Sequence, residues 1–199
     1  MKDAVVYIHG KGGCPDEASR FVPLFPGAEV IGFGYRSETP WEAREEFPAF
    51  FREVRRSHGR VLLIANSIGA YLAMCALSGE EIGRAFLISP VVDMERLILG
   101  MMSQEGVSEE ELRSRGEIVT ESGAVLSWRY LCFARENPVG WSVPTAVLYG
   151  GCDRLTSREQ ISAFAERVGA SLTVMEDGGH WFHTDEELRF LDEWLRREV

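Results

Sequence analysis

Three residues of this chain could together activate and use a nucleophile: Ser67, Asp153 and His180. A serine hydroxyl attacks poorly until a base takes its proton, and an imidazole is the natural base near neutral pH. A carboxylate on the ring's other nitrogen would hold the required tautomer and stabilise the imidazolium that forms. Each of the three follows a short apolar run. Val61-Leu62-Leu63-Ile64 leads through Ala65 and Asn66 to Ser67, and Tyr71, Leu72, Met74, Cys75 and Leu77 beyond it keep the spacing of a helix face. A serine at such a strand-to-helix turn needs small residues two positions to either side, because larger side chains there would collide with the strand or the helix. Ala65 and Gly69 meet that need. Thr145–Tyr149 breaks at Gly150-Gly151-Cys152-Asp153, and Ser171–Met175 runs into Glu176-Asp177-Gly178-Gly179-His180. Loops at the carboxyl ends of parallel strands are where α/β sheets bind ligands.

The turn at Ala65-Asn66-Ser67-Ile68-Gly69, the chain order Ser67, Asp153, His180 and a His9-Gly10 pair after the first apolar run resemble the small bacterial α/β-hydrolase-fold proteins of the esterase/lipase and serine-aminopeptidase-like kind. The likeness spans nearly the whole chain and is weakest between about Val91 and Trp141. Ala65 stands where that pattern usually has its first glycine. The resemblance implies a serine hydrolase that works through a Ser67-His180-Asp153 triad and an acyl-enzyme, without a metal or organic cofactor. A small carboxylic ester with a partly apolar acyl group is the expected substrate. Peptide, thioester and carbon–carbon bond cleavage use the same constellation on this fold. A ligand-binding or sensor protein that retains the three residues is the reading from a different class. Serine at position 67 argues against chemistries that use a carboxylate nucleophile there.

Such a reaction also needs preorganised donors for the developing oxyanion, worth roughly 3–4 kcal/mol each. The backbone N–H of Ile68 is the first expected donor. The second belongs to His9-Gly10-Lys11-Gly12-Gly13, the loop after Ala4–Ile8, and is placed on Lys11 with Gly10 as the alternative. Rival residues are present. His183 could serve as the base, but Thr184-Asp185-Glu186-Glu187 has the form of a capping box opening the last helix, which places His183 beside an N-cap. Asp93, three residues past Ser89-Pro90, could serve as the acid; Tyr149-Gly150-Gly151-Cys152-Asp153 followed by Leu155-Thr156 is closer to the commoner pattern. His9 is expected to orient its own loop, and His58 lies in a polar, basic stretch that reads as surface.

The elements that must position these residues follow from alternation. Strand-like runs at Ala4–Ile8, Glu29–Phe33, Val61–Ile64, Ala85–Ile88, Thr145–Tyr149 and Ser171–Met175 are separated by helical patterns, which argues for a mostly parallel six-stranded sheet covered on both faces. The resemblance makes this a reduced α/β-hydrolase fold, without the two antiparallel strands that usually precede the oxyanion strand. Thr39-Pro40-Trp41-Glu42 is a helix start, and Pro48 should kink or restart that helix. Helices are expected over Ser157–Val168 and Thr184–Arg197. The whole chain, 1–199, reads as one hydrolase domain with a cap or lid inserted at about 91–141. In that insertion Ser108-Glu109-Glu110-Glu111 opens a short helix, and Ile118–Leu126 is either a small hairpin turning at Ser122-Gly123 or an irregular loop. Met101, Trp128 and Trp181, with Gly10, are the expected substrate-binding residues, and an apolar acyl pocket is their expected product.

The 199 residues suffice for a full core without disulfides or metals. A formal net charge of −10 argues against nucleic acid or anionic membrane as partner and leaves a small molecule. Met1-Lys2-Asp3 leads straight into the first strand and no apolar run is long enough to span a bilayer, so the expected location is cytoplasmic. Cys14, Cys75, Cys132 and Cys152 have no metal-ligand spacing and suit a reducing compartment; Cys14 and Cys152 are read as bystanders near the site. The sequence carries no signal for oligomeric state.

Overall fold

The computed structural model describes residues 1–121 and 123–199. Its eight strands are β1 (Asp3–Ile8), β2 (Ala28–Gly32), β3 (Val61–Asn66), β4 (Arg84–Ile88), β5 (Glu117–Val119), β6 (Val125–Ser127), β7 (Thr145–Gly150) and β8 (Ser171–Met175). Its helices are α1 (Pro40–Ser57), α2 (Ser67–Leu77), α3 (Met94–Gln104), α4 (Glu109–Arg115), α5 (Trp128–Glu136), α6 (Arg158–Val168) and α7 (Asp185–Glu198), with a 3-10 segment at Pro15–Leu24. By backbone proximity the chain forms two compact units, one of Met1–Val92 with Gly140–Val199 and one of Asp93–Val139.

The larger unit is built on a six-stranded sheet in the order β2-β1-β3-β4-β7-β8, and every ladder in it is parallel. Both faces of its centre are buried, which is why the central strands read as continuous apolar runs. On one face Val5, Tyr7, Ile64, Phe86, Ile88 and Leu148 pack with Phe21 and Leu24 of the 3-10 segment and with Leu191, Trp194 and Leu195 of α7. The register Ile8↔Ala65 and Asn66↔Ile88 brings the carboxyl ends of β1, β3 and β4 level, so the loops that follow them emerge side by side.

The ends of the helices are set as their residues demand. Thr39 accepts from the Glu42 N–H while Glu42 reaches back to the Thr39 N–H, and the same reciprocal box opens α6 at Ser157/Gln160 and α7 at Thr184/Glu187. Pro48 does not restart α1, which runs unbroken from Pro40 to Ser57. Ala43, Phe47, Phe51 and Val54 are buried along one face on both sides of the proline, so packing carries the helix through the lost backbone bond. The 3-10 segment has no counterpart in the sequence reading. Its signals are short-range: Pro15 in the first turn, Asp16 and Glu17 beside it, and a Cys14/Glu17 capping interaction. His58 is not a free surface group. Its side chain is 11% exposed, with Nδ1 2.8 Å from the Val54 carbonyl and Nε2 3.2 Å from the Glu29 carboxylate, and these two contacts raise its pKa.

The smaller unit contains α3, α4, the β5–β6 hairpin and α5. Asp93 caps α3 by accepting from the Arg96 N–H, and Ser108 caps α4 by accepting from the Glu111 N–H. Glu117–Val119 pairs antiparallel with Val125–Ser127, so this stretch is a hairpin rather than an irregular loop. Gly123 in its turn has a positive φ of 80°, whereas Ser122 lies outside the described residues. Arg135 of α5 bonds Glu95 of α3 at 2.7 Å and both carboxylate oxygens of Glu109 of α4, joining three helices through one guanidinium. No helix among the described residues is long and apolar enough to cross a membrane.

Candidate active site

Ser67 is the first residue of α2 and follows β3 directly. Its φ is 51°, a value side-chain-bearing residues rarely adopt, and it holds because strand and helix on either side fix the turn. Gly69 makes that turn possible: a Cβ there would stand 2.2 Å from the His9 carbonyl oxygen at the end of β1. Gly10 packs on the serine itself, and a Cβ on it would lie 3.1 Å from Ser67 Cβ. On the far side, the Val91 N–H donates to the Ser67 carbonyl, so the segment after β4 also secures the turn.

The Ser67 Oγ lies 2.8 Å from His180 Nε2, and His180 Nδ1 lies 2.7 Å from Asp153 Oδ2. The His180 and Asp153 side chains are 5% and 0% exposed, so water competes little for these bonds. The second oxygen of Asp153 accepts from the Leu155 and Thr156 N–H groups, which orients the carboxylate toward the ring. Burial and the nearby Asp153 charge push the Tyr149 phenol up, and its hydroxyl donates to the Thr156 carbonyl. The loops carrying Asp153 and His180 are tied to each other through the Gly151 N–H on the Met175 carbonyl and the Cys152 N–H on the Gly178 carbonyl. Gly150 and Gly151 permit that approach, since a Cβ on either would stand 2.3–2.4 Å from a carbonyl oxygen of the other loop.

The loop after β1 is likewise fixed. The Gly13 N–H donates to the Gly10 carbonyl, with Lys11 and Gly12 between them, and Gly12 has a φ of 79°. His9 stacks on Tyr35 with ring centroids 4.5 Å apart, its Nδ1 lies 2.8 Å from the Gly10 carbonyl, and the Tyr35 hydroxyl donates to the His9 carbonyl. Beneath the loop Tyr7 donates to Glu17 at 2.6 Å, and burial together with that carboxylate pushes the phenol strongly up. Ile68 occupies the first turn of α2, where backbone N–H groups have no acceptor within the helix, and the Asn66 side chain makes no capping bond there.

Gly10, Lys11 and Trp181 line a cavity of about 600 Å³ together with Tyr7, Asn66, Phe21, Phe182 and His183. Trp181 is 52% exposed and meets the His180 ring edge to face at 5.0 Å. Met101 stands on α3 and Trp128 opens α5, both in the smaller unit, where the Arg113 guanidinium lies 6.0 Å from the Trp128 ring. His183 is solvent-facing, and Asp93 is engaged as the cap of α3. Cys14 and Cys152 are exposed free thiols. The contacts of Val91 with Ser67, of Tyr35 with His9 and of Glu187 with Gly179 join separate segments and have no local signal in the sequence.

Residues 5–193 match the model of a family described as the alpha/beta hydrolase family. No curated protein matches the chain. Among solved structures, alpha/beta hydrolase domain-containing protein 10 from mouse aligns with a TM-score of 0.77 at 15% identity, covering 98% of this chain and 88% of its own. Est1E from Butyrivibrio proteoclasticus aligns with a TM-score of 0.77 at 17% identity, covering 100% of this chain and 87% of its own. The Pyrococcus furiosus esterase Pf2001 aligns with a TM-score of 0.66 at 18% identity, covering 99% and 83%. At these identities the likeness is one of fold.

Proposed function

The chain belongs to the alpha/beta hydrolase family, and from that premise we propose that it is a serine hydrolase acting on a small carboxylic ester with a partly apolar acyl group. One observation carries the reading: the continuous hydrogen-bonded line from the Ser67 Oγ through the His180 ring to a fully buried Asp153 carboxylate. In this mechanism His180 Nε2 takes the Ser67 proton as Oγ attacks the ester carbonyl, and Asp153 steadies the imidazolium. The backbone N–H groups of Ile68 and Lys11 receive the oxyanion, with Gly10 as the alternative donor. His180 then protonates the departing alcohol, and a water activated by the same ring releases the acid from the acyl-enzyme.

A small ester with a partly apolar acyl group is compatible with the mixed lining of the cavity beside Gly10, where Phe21, Phe182 and Trp181 offer apolar surface and Asn66, Lys11 and Arg20 offer polar atoms. That a structurally similar protein is described as an esterase supports the same choice. The test is turnover of p-nitrophenyl esters of graded acyl length by wild type and Ser67→Ala. Wild-type turnover that depends on acyl length and falls by at least about a thousandfold in the variant is expected. Equal rates for the two proteins would overturn the reading.

A further inference from the structure

The Glu187 side chain is buried at the start of α7, where an acidic residue usually caps a helix in contact with water. Its bonds exceed what a cap requires. Oε2 accepts from the Thr184 N–H at 2.9 Å, the Thr184 hydroxyl at 2.9 Å and the His183 N–H at 3.0 Å. Oε1 reaches in the other direction and accepts from the Gly179 N–H at 2.8 Å. One carboxylate therefore grips the chain immediately before His180 and again just after Phe182. The residues between are those that carry the imidazole, and Phe182 among them holds a strained φ of 38°.

We propose that Glu187 is a positioning residue of the active site, whose ionised carboxylate staples both ends of the His180 loop and so sets the ring against Ser67. This rests on the reading of Ser67 and His180 given above. Four donors converge on the one side chain, and charge-assisted bonds of this kind are about twice as strong as neutral ones. Glutamine at this position keeps one acceptor oxygen and turns an NH2 group toward backbone N–H donors, so it cannot serve both ends of the loop. Aspartate keeps the charge and a favourable residue for the first helical turn but is one methylene too short to bridge Gly179 and Thr184 together.

The test compares Glu187→Gln and Glu187→Asp with Thr39→Ala, which removes a helix N-cap of the same type from α1, and with Ser67→Ala, all assayed on one p-nitrophenyl ester. Thr39→Ala should lose thermal stability yet keep kcat within about twofold of wild type. Both Glu187 variants should lose about ten- to a hundredfold in kcat with KM little changed, because a base displaced by a fraction of an ångström slows the chemical step without altering substrate contacts. If Glu187→Gln does not fold, the aspartate variant decides. A folded Glu187→Asp with kcat within about twofold of wild type would overturn the proposal. Activity that survives in Ser67→Ala would instead overturn the serine mechanism, so the two failures are distinct.

Discussion

At Ser67 the backbone spends conformational energy, of order 1–3 kcal/mol for a non-glycine residue at positive φ, to present its hydroxyl at the end of the sheet. Gly69 and Gly10 accommodate that conformation by letting the His9-Gly10 backbone and the serine come within contact distance. The three residues of the hydrogen-bonded line were legible in the sequence because each has a local signature: an apolar run, then small or glycine residues, then the functional side chain. His180 and His183 are the sharper case, three positions apart and both near the cavity. Only His180 is buried and bonded to both Ser67 and Asp153, whereas the His183 side chain is 74% exposed. His180→Ala should therefore lower kcat/KM for an ester by at least about a thousandfold, and His183→Ala by no more than about threefold. Steady-state kinetics of the two variants check this, and the reverse ranking would move the base to His183. The second duty of Glu187 was not legible, because the Gly179 N–H reaches it only after the loop has folded back on α7.

Among the elements, all six sheet strands were legible to within about two residues at their ends; in the central four, β1, β3, β4 and β7, double burial leaves a nearly uninterrupted apolar run, whereas the edge strands β2 and β8 are only partly buried and show shorter β-favouring runs. Pro48 does not restart α1, since the burial of Phe47 and Phe51, which local propensity cannot count, holds the helix across it. The 3-10 segment escaped for the opposite reason: with Pro23 inside it and a tighter repeat, it lacks the spacing of an α-helix. At the start of α7, burial alone would raise the Glu187 carboxyl, but the N–H groups of Thr184, Gly179 and His183 and the Thr184 hydroxyl outweigh it and hold the pKa at about 2 against an ordinary 4.5. A carboxyl with a depressed folded-state pKa stabilises the fold above its unfolded pKa and loses that contribution as pH falls through the folded value. The melting-temperature gap between wild type and Glu187→Gln should accordingly be widest near neutral pH and shrink as pH is lowered from 4.5 toward 2. Thermal melts across that range check it, and a gap that does not change with pH would contradict it.

Over the whole molecule, the parallel sheet brings the loops after β1, β3, β7 and β8 together, and residues far apart in the chain meet there as one site. The compact unit at Asp93–Val139 falls inside the segment that the sequence marked out at 91–141, where the likeness to known hydrolases was weakest. Its internal order rests on capped short helices and on Arg135 bound to Glu95 and Glu109, a long-range arrangement that no local pattern announces. The net charge of −10 places a further condition on substrates, since a strongly anionic ester would approach against the field of the protein. The central claim, that Ser67 is a nucleophile activated by His180 and Asp153, is tested most directly by exposing the folded protein to a fluorophosphonate and mapping the adduct by peptide mass spectrometry. One phosphonyl group per chain, located on Ser67 and lost in His180→Ala, is the expected result. A folded protein that stays unlabelled, or carries the adduct on another residue, would contradict it.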